Sequence, residues 1–153
     1  LSDVSKAQLR GLRLPARWRD LPILCSPLTR ARETAAILGE SGTPIFDDRL
    51  VEMDFGDWEG QIAADLIADH DCAYGPVENW GWDFRPPNGE TPAEMLDRVG
   101  PVLEEAAAIG PCLIICHRGM MRAIMAAATP KAKRFILTSF FISTFLNIPS
   151  FSR

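Results

Sequence analysis

At 153 residues, with 47% apolar and 24% charged side chains and a net charge of −4, the chain has the size and balance of one soluble globular domain. That balance, with no block of Lys and Arg, argues against a general nucleic-acid binder or a membrane-surface binder. Four cysteines, Cys25, Cys72, Cys112 and Cys116, form no CxxC pair and share no zinc-site spacing with the histidines, so free thiols in a reducing cytoplasm and no metal site are expected.

The first helix is expected over 2–14, capped by Ser2 or Asp3 and ended by Pro15. The apolar run 22–25 is too brief for a helix and suits a buried strand. A helix follows over 26–40, with Ser26 as its N-cap, Pro27 at its first position, and Gly39 or Gly42 at its end. Residues 44–46 are expected as a second strand, and 47–60 as a carboxylate-rich loop. A short helix over 61–71 leads to a loop or lid over 74–91, rich in Pro, Gly and Trp. Thr91, Pro92 and Glu94 announce a capping box and a helix to 110. The clearest strand, 112–116, precedes a helix over 119–129. The apolar run 135–148 is too short and too rich in Ser and Thr to span a bilayer, and no signal peptide is recognised. Strands alternating with helices imply a mainly parallel sheet covered on both faces.

Two units share one layout: an apolar strand, a short polar turn, then a helix, at "PILC-SPLTRA" and "CLIIC-HRGMMRA". Ligands in open α/β sheets bind beyond the carboxyl ends of the strands, where helix N-termini favour anions. Arg30 and His117 stand at those two ends and suggest a phosphate site. Spacing alone leaves bland readings open. Arg30 can be a surface arginine paired with Glu33 or Thr34, and His117 a hydrogen-bonded core histidine. Arg32, on another helix face, reads as solvated. In the loop, Glu52, Asp54, Asp57 or Glu59 beside Phe55 and Trp58 can be desolvated into a general acid, or the loop can be simply hydrated. Glu90 is explained by helix capping, Cys116 as a core thiol, and His70 as a surface residue.

Together the motifs resemble the histidine phosphatase superfamily, also called phosphoglycerate mutase-like. "CSPLTRARETA" (25–35), "LVEMDFGDWEG" (50–60), "PPNGET" (86–91) and "CHRGMMRA" (116–123) stand in that family's order and spacing over roughly residues 1–129. The loop wording is similar to alpha-ribazole phosphatases and broad-specificity relatives. The resemblance implies an α/β three-layer sandwich with a mainly parallel sheet. It implies a phosphomonoester hydrolase of small phosphorylated metabolites, working through a phosphohistidine without metal or cofactor. Arg30 would grip the phosphoryl group, Glu52 would be the general acid, and His117 would stabilise phosphoryl charge in the transition state.

The family's nucleophilic histidine lies in an Arg-His-Gly motif that these residues lack, and His70 stands in the wrong place to replace it. The expectation is therefore one domain over 1–153, truncated at its N-terminus, with the first strand missing and with little turnover of its own. Residues 130–153 match the family poorly. Only 38 positions separate Glu52 from Glu90, which favours a phosphatase over a phosphoglycerate-type mutase. The remaining alternative is a non-catalytic module that binds a phosphorylated ligand or a partner. No nucleic acid or membrane partner is expected, and the oligomeric state is left open.

Overall fold

The structure, a computed structural model, describes residues 1–39, 42–69, 72–75 and 81–127. His70 and the tail 130–153 lie outside them. In chain order the elements are α1 (Asp3–Gly11), α2 (Ala16–Arg19), β1 (Ile23–Cys25), α3 (Thr29–Leu38), β2 (Ile45–Phe46), α4 (Ala63–Ala68), α5 (Pro92–Ile109), β3 (Leu113–Ile115) and α6 (Arg118–Ala127). The three strands form one sheet in the order β2-β1-β3, with both pairings parallel.

Period 2 along the strands sends alternate side chains to opposite faces, and each face has its own core. Ile23 and Cys25 of β1, with Leu113 of β3, pack on Ala31 and Ala35 of α3. Leu24 and Ile114 turn the other way, onto Leu50, Met53, Met95, Val99, Val102 and Met120. Thus α3, with α1 against it, covers one face, while α5 and α6 cover the other. The three-layer α/β architecture read from the sequence is the one observed. Each fully buried aliphatic side chain in these layers stabilises the fold by about 1.5–3 kcal/mol.

Local signals account for two of the helix starts. Ser2 caps α1, its hydroxyl accepting from Ser5 N at 3.2 Å. In α5, Thr91 Oγ1 accepts from Glu94 N at 3.1 Å and Glu94 Oε2 accepts from Thr91 N at 2.9 Å, with Pro92 at N1. This is the expected capping box. The buried residues of α5, Met95, Val99, Val102 and Ala106, fall every three or four positions on one stripe. The single turn α2 has too few residues to show a period in the sequence.

One expected cap is wrong. The helix after β1 begins at Thr29, with Leu28 as N-cap and no side-chain capping bond, rather than at Ser26 and Pro27. The reason is that Ser26 is still tied to the sheet: its N–H donates to Ile115 O at 2.8 Å, the bond that closes the last β1–β3 pair, Cys25 with Ile115. Pro27 and Leu28 then turn the chain into α3.

Loops 54–58 and 86–90 are zipped together. Glu90 N donates to Asp54 O at 2.8 Å, and Asp57 N donates to Pro87 O at 2.9 Å. Gly56 sits at the seam with φ +55°, and a Cβ there would lie 2.0 Å from Pro87 O. Both the backbone conformation and the space exclude a side chain. Gly56→Ala is therefore expected to destabilise the protein by at least about 2 kcal/mol, read as a lower urea midpoint. An unchanged midpoint would show that the two loops do not mesh as described.

Candidate active site

β1 and β3 are neighbours and run in the same direction, so their carboxyl ends lie side by side. This parallel pairing joins Ser26 and Arg30, from the first strand–turn–helix unit, to His117 from the second. His117 is buried, at 5% exposure. Its Nδ1 accepts from Arg30 Nε at 3.1 Å, and its Nε2 lies 2.8 Å from Ser26 Oγ. Burial chiefly, then the charges of Arg30 and Arg98, push the imidazole down to about 3. It is therefore neutral near pH 7.

Glu52 arrives from the loop after β2. Its carboxylate sits on the N-terminus of α6, where Oε2 accepts from Gly119 N at 3.1 Å and Oε1 from Met120 N at 3.0 Å. Oε1 also accepts from Met53 N at 3.1 Å. These N–H groups are the unpaired donors of a helix start, and they favour the anion. Burial opposes them and wins, so the Glu52 carboxyl is held above the usual carboxylate range; Arg30 is close enough to lower it somewhat. A carboxyl held this way can carry a proton at a pH where an exposed glutamate cannot.

The loop bearing Glu52 is fastened from behind by Arg98 of α5. Arg98 Nη1 donates to Arg49 O at 2.7 Å and to Val51 O at 3.2 Å. Its Nε and Nη2 donate to Glu90 Oε1 at 2.9 Å and Oε2 at 2.7 Å. Glu90 Oε2 accepts in turn from Asp54 N at 3.3 Å. Glu90 thus fixes the loop as well as preceding the helix. A cleft bordering this loop is lined by Glu52, Asp54, Arg85, Asn88, Glu90 and Arg98. Its two arginines are each paired with a glutamate, Arg85 with Glu94 and Arg98 with Glu90.

The structure thus brings Arg30, Glu52 and His117 together and sorts the other candidates. Asp54 Oδ1 accepts from Gly56 N at 2.8 Å, Asp57 Oδ2 from Asn88 Nδ2 at 3.0 Å, and Glu59 Oε1 from Phe55 N at 3.2 Å. These three carboxylates shape the loop. Phe55 and Trp58 belong to the core, with Trp58 edge-on to Tyr74 at 5.1 Å. Cys116 packs against the same core, and burial pushes its thiol up to about 12, so it is no nucleophile. Arg32 is exposed, as expected, and on the surface it donates to Pro27 O at 2.7 Å and stacks over Phe46. Among the described residues, no group of three His, Cys, Asp or Glu is placed to hold a metal, and no helix is long and apolar enough to cross a membrane.

Three residues of the site escaped sequence reasoning. Ser26 reads as a cap until its hydroxyl is seen on His117. Arg98 lies 46 positions from Glu52, with no local pattern to link them. Gly119 does carry a signal, a glycine two residues after the strand-end histidine. A Cβ there would stand 2.7 Å from Glu52 Oε1, so glycine makes room for the carboxyl.

Comparison with known proteins places this arrangement. The chain matches the histidine phosphatase superfamily (branch 1) over residues 1–140. It belongs to that superfamily. It is 32% identical to glucosyl-3-phosphoglycerate phosphatase of Mycobacterium tuberculosis over 139 residues, covering 81% of this chain and 59% of the relative. It is also 32% identical to adenosylcobalamin/alpha-ribazole phosphatase of Salmonella typhimurium, over 68% of this chain and 54% of the relative. A 2,3-bisphosphoglycerate-dependent phosphoglycerate mutase of Methylobacterium is 32% identical over 80% of this chain and 64% of the relative. A solved mycobacterial glucosyl-3-phosphoglycerate phosphatase superposes with a TM-score of 0.66 at 29% identity, over 83% of this chain and 66% of that one. The chain thus spans between about half and two thirds of the length of these relatives.

The raised Glu52 carboxyl has a consequence for stability. The folded state keeps this proton at a pH where the unfolded chain, near 4.5, has released it. It therefore binds more protons than the unfolded state, and the slope of stability against pH is negative. The contribution is fully present below the unfolded value and is lost as pH rises through the folded one. Relative to Glu52→Gln, which cannot ionise, the native protein is expected to lose stability progressively from about pH 4.5 upward. Urea denaturation of both proteins between pH 4 and 8 checks this; a difference that grows in favour of the native protein would contradict the burial argument.

Proposed function

We propose that the parent protein is a phosphomonoester hydrolase acting on a small phosphorylated metabolite, with the reaction passing through a phosphohistidine. The observation that carries this reading is the meeting of a guanidinium, a neutral imidazole and a raised carboxyl at the carboxyl ends of β1 and β3. Arg30 grips the phosphoryl oxygens, where a planar fork of donors suits the charge. His117 acts through Arg30: its Nδ1 accepts from the Nε–H and holds the guanidinium against the charge that develops on those oxygens in the transition state. Positioning and charge stabilisation dominate phosphoryl transfer, so these groups address its main demands.

The remaining chemistry is a displacement in two steps. A histidine nitrogen attacks phosphorus as the bond to the leaving oxygen breaks, and the Glu52 proton passes to that oxygen. Water then attacks the phosphohistidine; the phosphorus–nitrogen bond breaks, inorganic phosphate leaves, and Glu52 accepts the water proton. Our reading places the attacking histidine on a segment ahead of Leu1. His117 has both ring nitrogens committed to Arg30 and Ser26, which disfavours it as the nucleophile.

The kinship to phosphatases supports hydrolysis, and the kinship to a phosphoglycerate mutase keeps phosphoryl return to substrate as the second reading. The two differ in the acceptor: water gives free phosphate, and a phosphoglycerate gives exchange. A binding module without catalysis is a further alternative, decided by the residues encoded immediately upstream of Leu1. An apolar strand ending in Arg-His-Gly there supports the enzyme, and its absence from the complete gene product would remove it.

For the 153-residue chain itself, negligible turnover of p-nitrophenyl phosphate is expected. Clear turnover that disappears in Glu52→Ala would overturn the assignment of the nucleophile. In the complete protein, Glu52→Gln is expected to slow alkyl phosphates by about 100-fold or more, a general-acid contribution, and p-nitrophenyl phosphate much less. The good leaving group needs little protonation. Equal losses on both substrates would remove Glu52 from the role of acid.

A further inference from the structure

We propose that Ser26 is the positioning residue that fixes the ring of His117: its hydroxyl accepts the Nε2 proton and so leaves Nδ1 as an acceptor for Arg30. Hydrogen-bond chemistry carries the argument. The Nε of an arginine holds one hydrogen and only donates. Its approach to His117 Nδ1 at 3.1 Å therefore requires that nitrogen to be unprotonated. A neutral imidazole keeps one hydrogen, which must then stand on Nε2, 2.8 Å from Ser26 Oγ. The hydroxyl has two acceptor sites, and the second faces Leu28 N at 3.4 Å.

Burial makes the assignment consequential. Ser26 is fully buried and His117 nearly so, which leaves little water to take over a lost bond. The serine is itself held in place, because its N–H is locked to Ile115 O at the end of the β1–β3 ladder. A chain of fixed groups thus runs from the β1–β3 ladder through Ser26 and the imidazole to the Arg30 guanidinium. Seating Arg30 by its Nε orients the plane of the guanidinium, on which a two-pronged grip on a phosphoryl group depends. The effect on phosphate rests on the function proposed above for Arg30; the tautomer does not.

Side-chain 15N correlation spectra of His117 at pH 7, assigned by their loss in His117→Gln, test the proposal in the full chain. The native protein is expected to show the Nε2–H tautomer alone. Ser26→Ala is expected to give a mixture with the Nδ1–H form and to weaken inorganic phosphate binding by about tenfold, the scale of one buried hydrogen bond. Ser26→Thr, which keeps the hydroxyl, is expected to restore the single tautomer. If the alanine variant does not fold, the near-isosteric Ser26→Cys, with its poor acceptor, is expected to show the mixture instead. An Nδ1–H tautomer in the native protein, or a single unchanged tautomer in the variants lacking the hydroxyl, overturns the proposal. Failure of the native protein to bind phosphate, with the tautomers behaving as stated, would sink the functional reading and leave the role of Ser26 intact.

Discussion

The Glu52 carboxylate rests on the backbone N–H groups of Gly119 and Met120, nearly seventy residues further along the chain. This contact ties the loop after β2 to the first turn of α6, and the rest of the site is arranged around it. A half-buried anion is costly unless its charge is met, and here it is met by the unpaired donors of a helix start and by the nearby charge of Arg30. The compensation is incomplete, which is why the carboxyl holds its proton more tightly than an exposed glutamate. One piece of geometry therefore locks a loop to a helix and leaves a carboxyl suited to proton transfer.

Much of the surrounding structure keeps this contact in place. Arg98 holds the carbonyls on either side of Leu50, and Leu50 is itself fully buried. Glu90 neutralises Arg98 and takes the Asp54 N–H, so the loop is fastened on both flanks of Glu52. Gly56 and Gly89 let the two loops close on each other, each where a Cβ would collide with backbone. The acidic loop is thus built around the Glu52 carboxyl, while Asp54, Asp57 and Glu59 satisfy backbone and side-chain donors within the loops.

The half built on Arg30 and His117 follows a different logic. It depends on two parallel strands ending side by side, each followed by a turn and a helix. Arg30 and His117 lie 87 residues apart, and the sheet alone makes them neighbours. Placing a cation against an imidazole in a buried setting keeps the imidazole neutral, because a second positive charge there would be both desolvated and repelled.

By itself the sequence determined the alternation of strands and helices, the three-layer α/β class and the capping box at Thr91, and it marked Arg30, Glu52 and His117 as candidates. The class follows from the order of the elements along the chain, and the other features are patterns or family motifs visible within about ten residues. Tertiary structure decided the rest. It showed that Ser26 closes the last rung of a ladder and is the partner of His117, rather than a helix cap, because hydrogen bonds between strands cannot be seen along one strand. It showed what holds the Glu52 carboxyl, the N–H groups of Met53, Gly119 and Met120, because contacts made by a side chain are not written in its own segment. It assigned Arg98 and Gly119 their parts for the same reason: both act on Glu52 across distances in the chain that no periodicity spans.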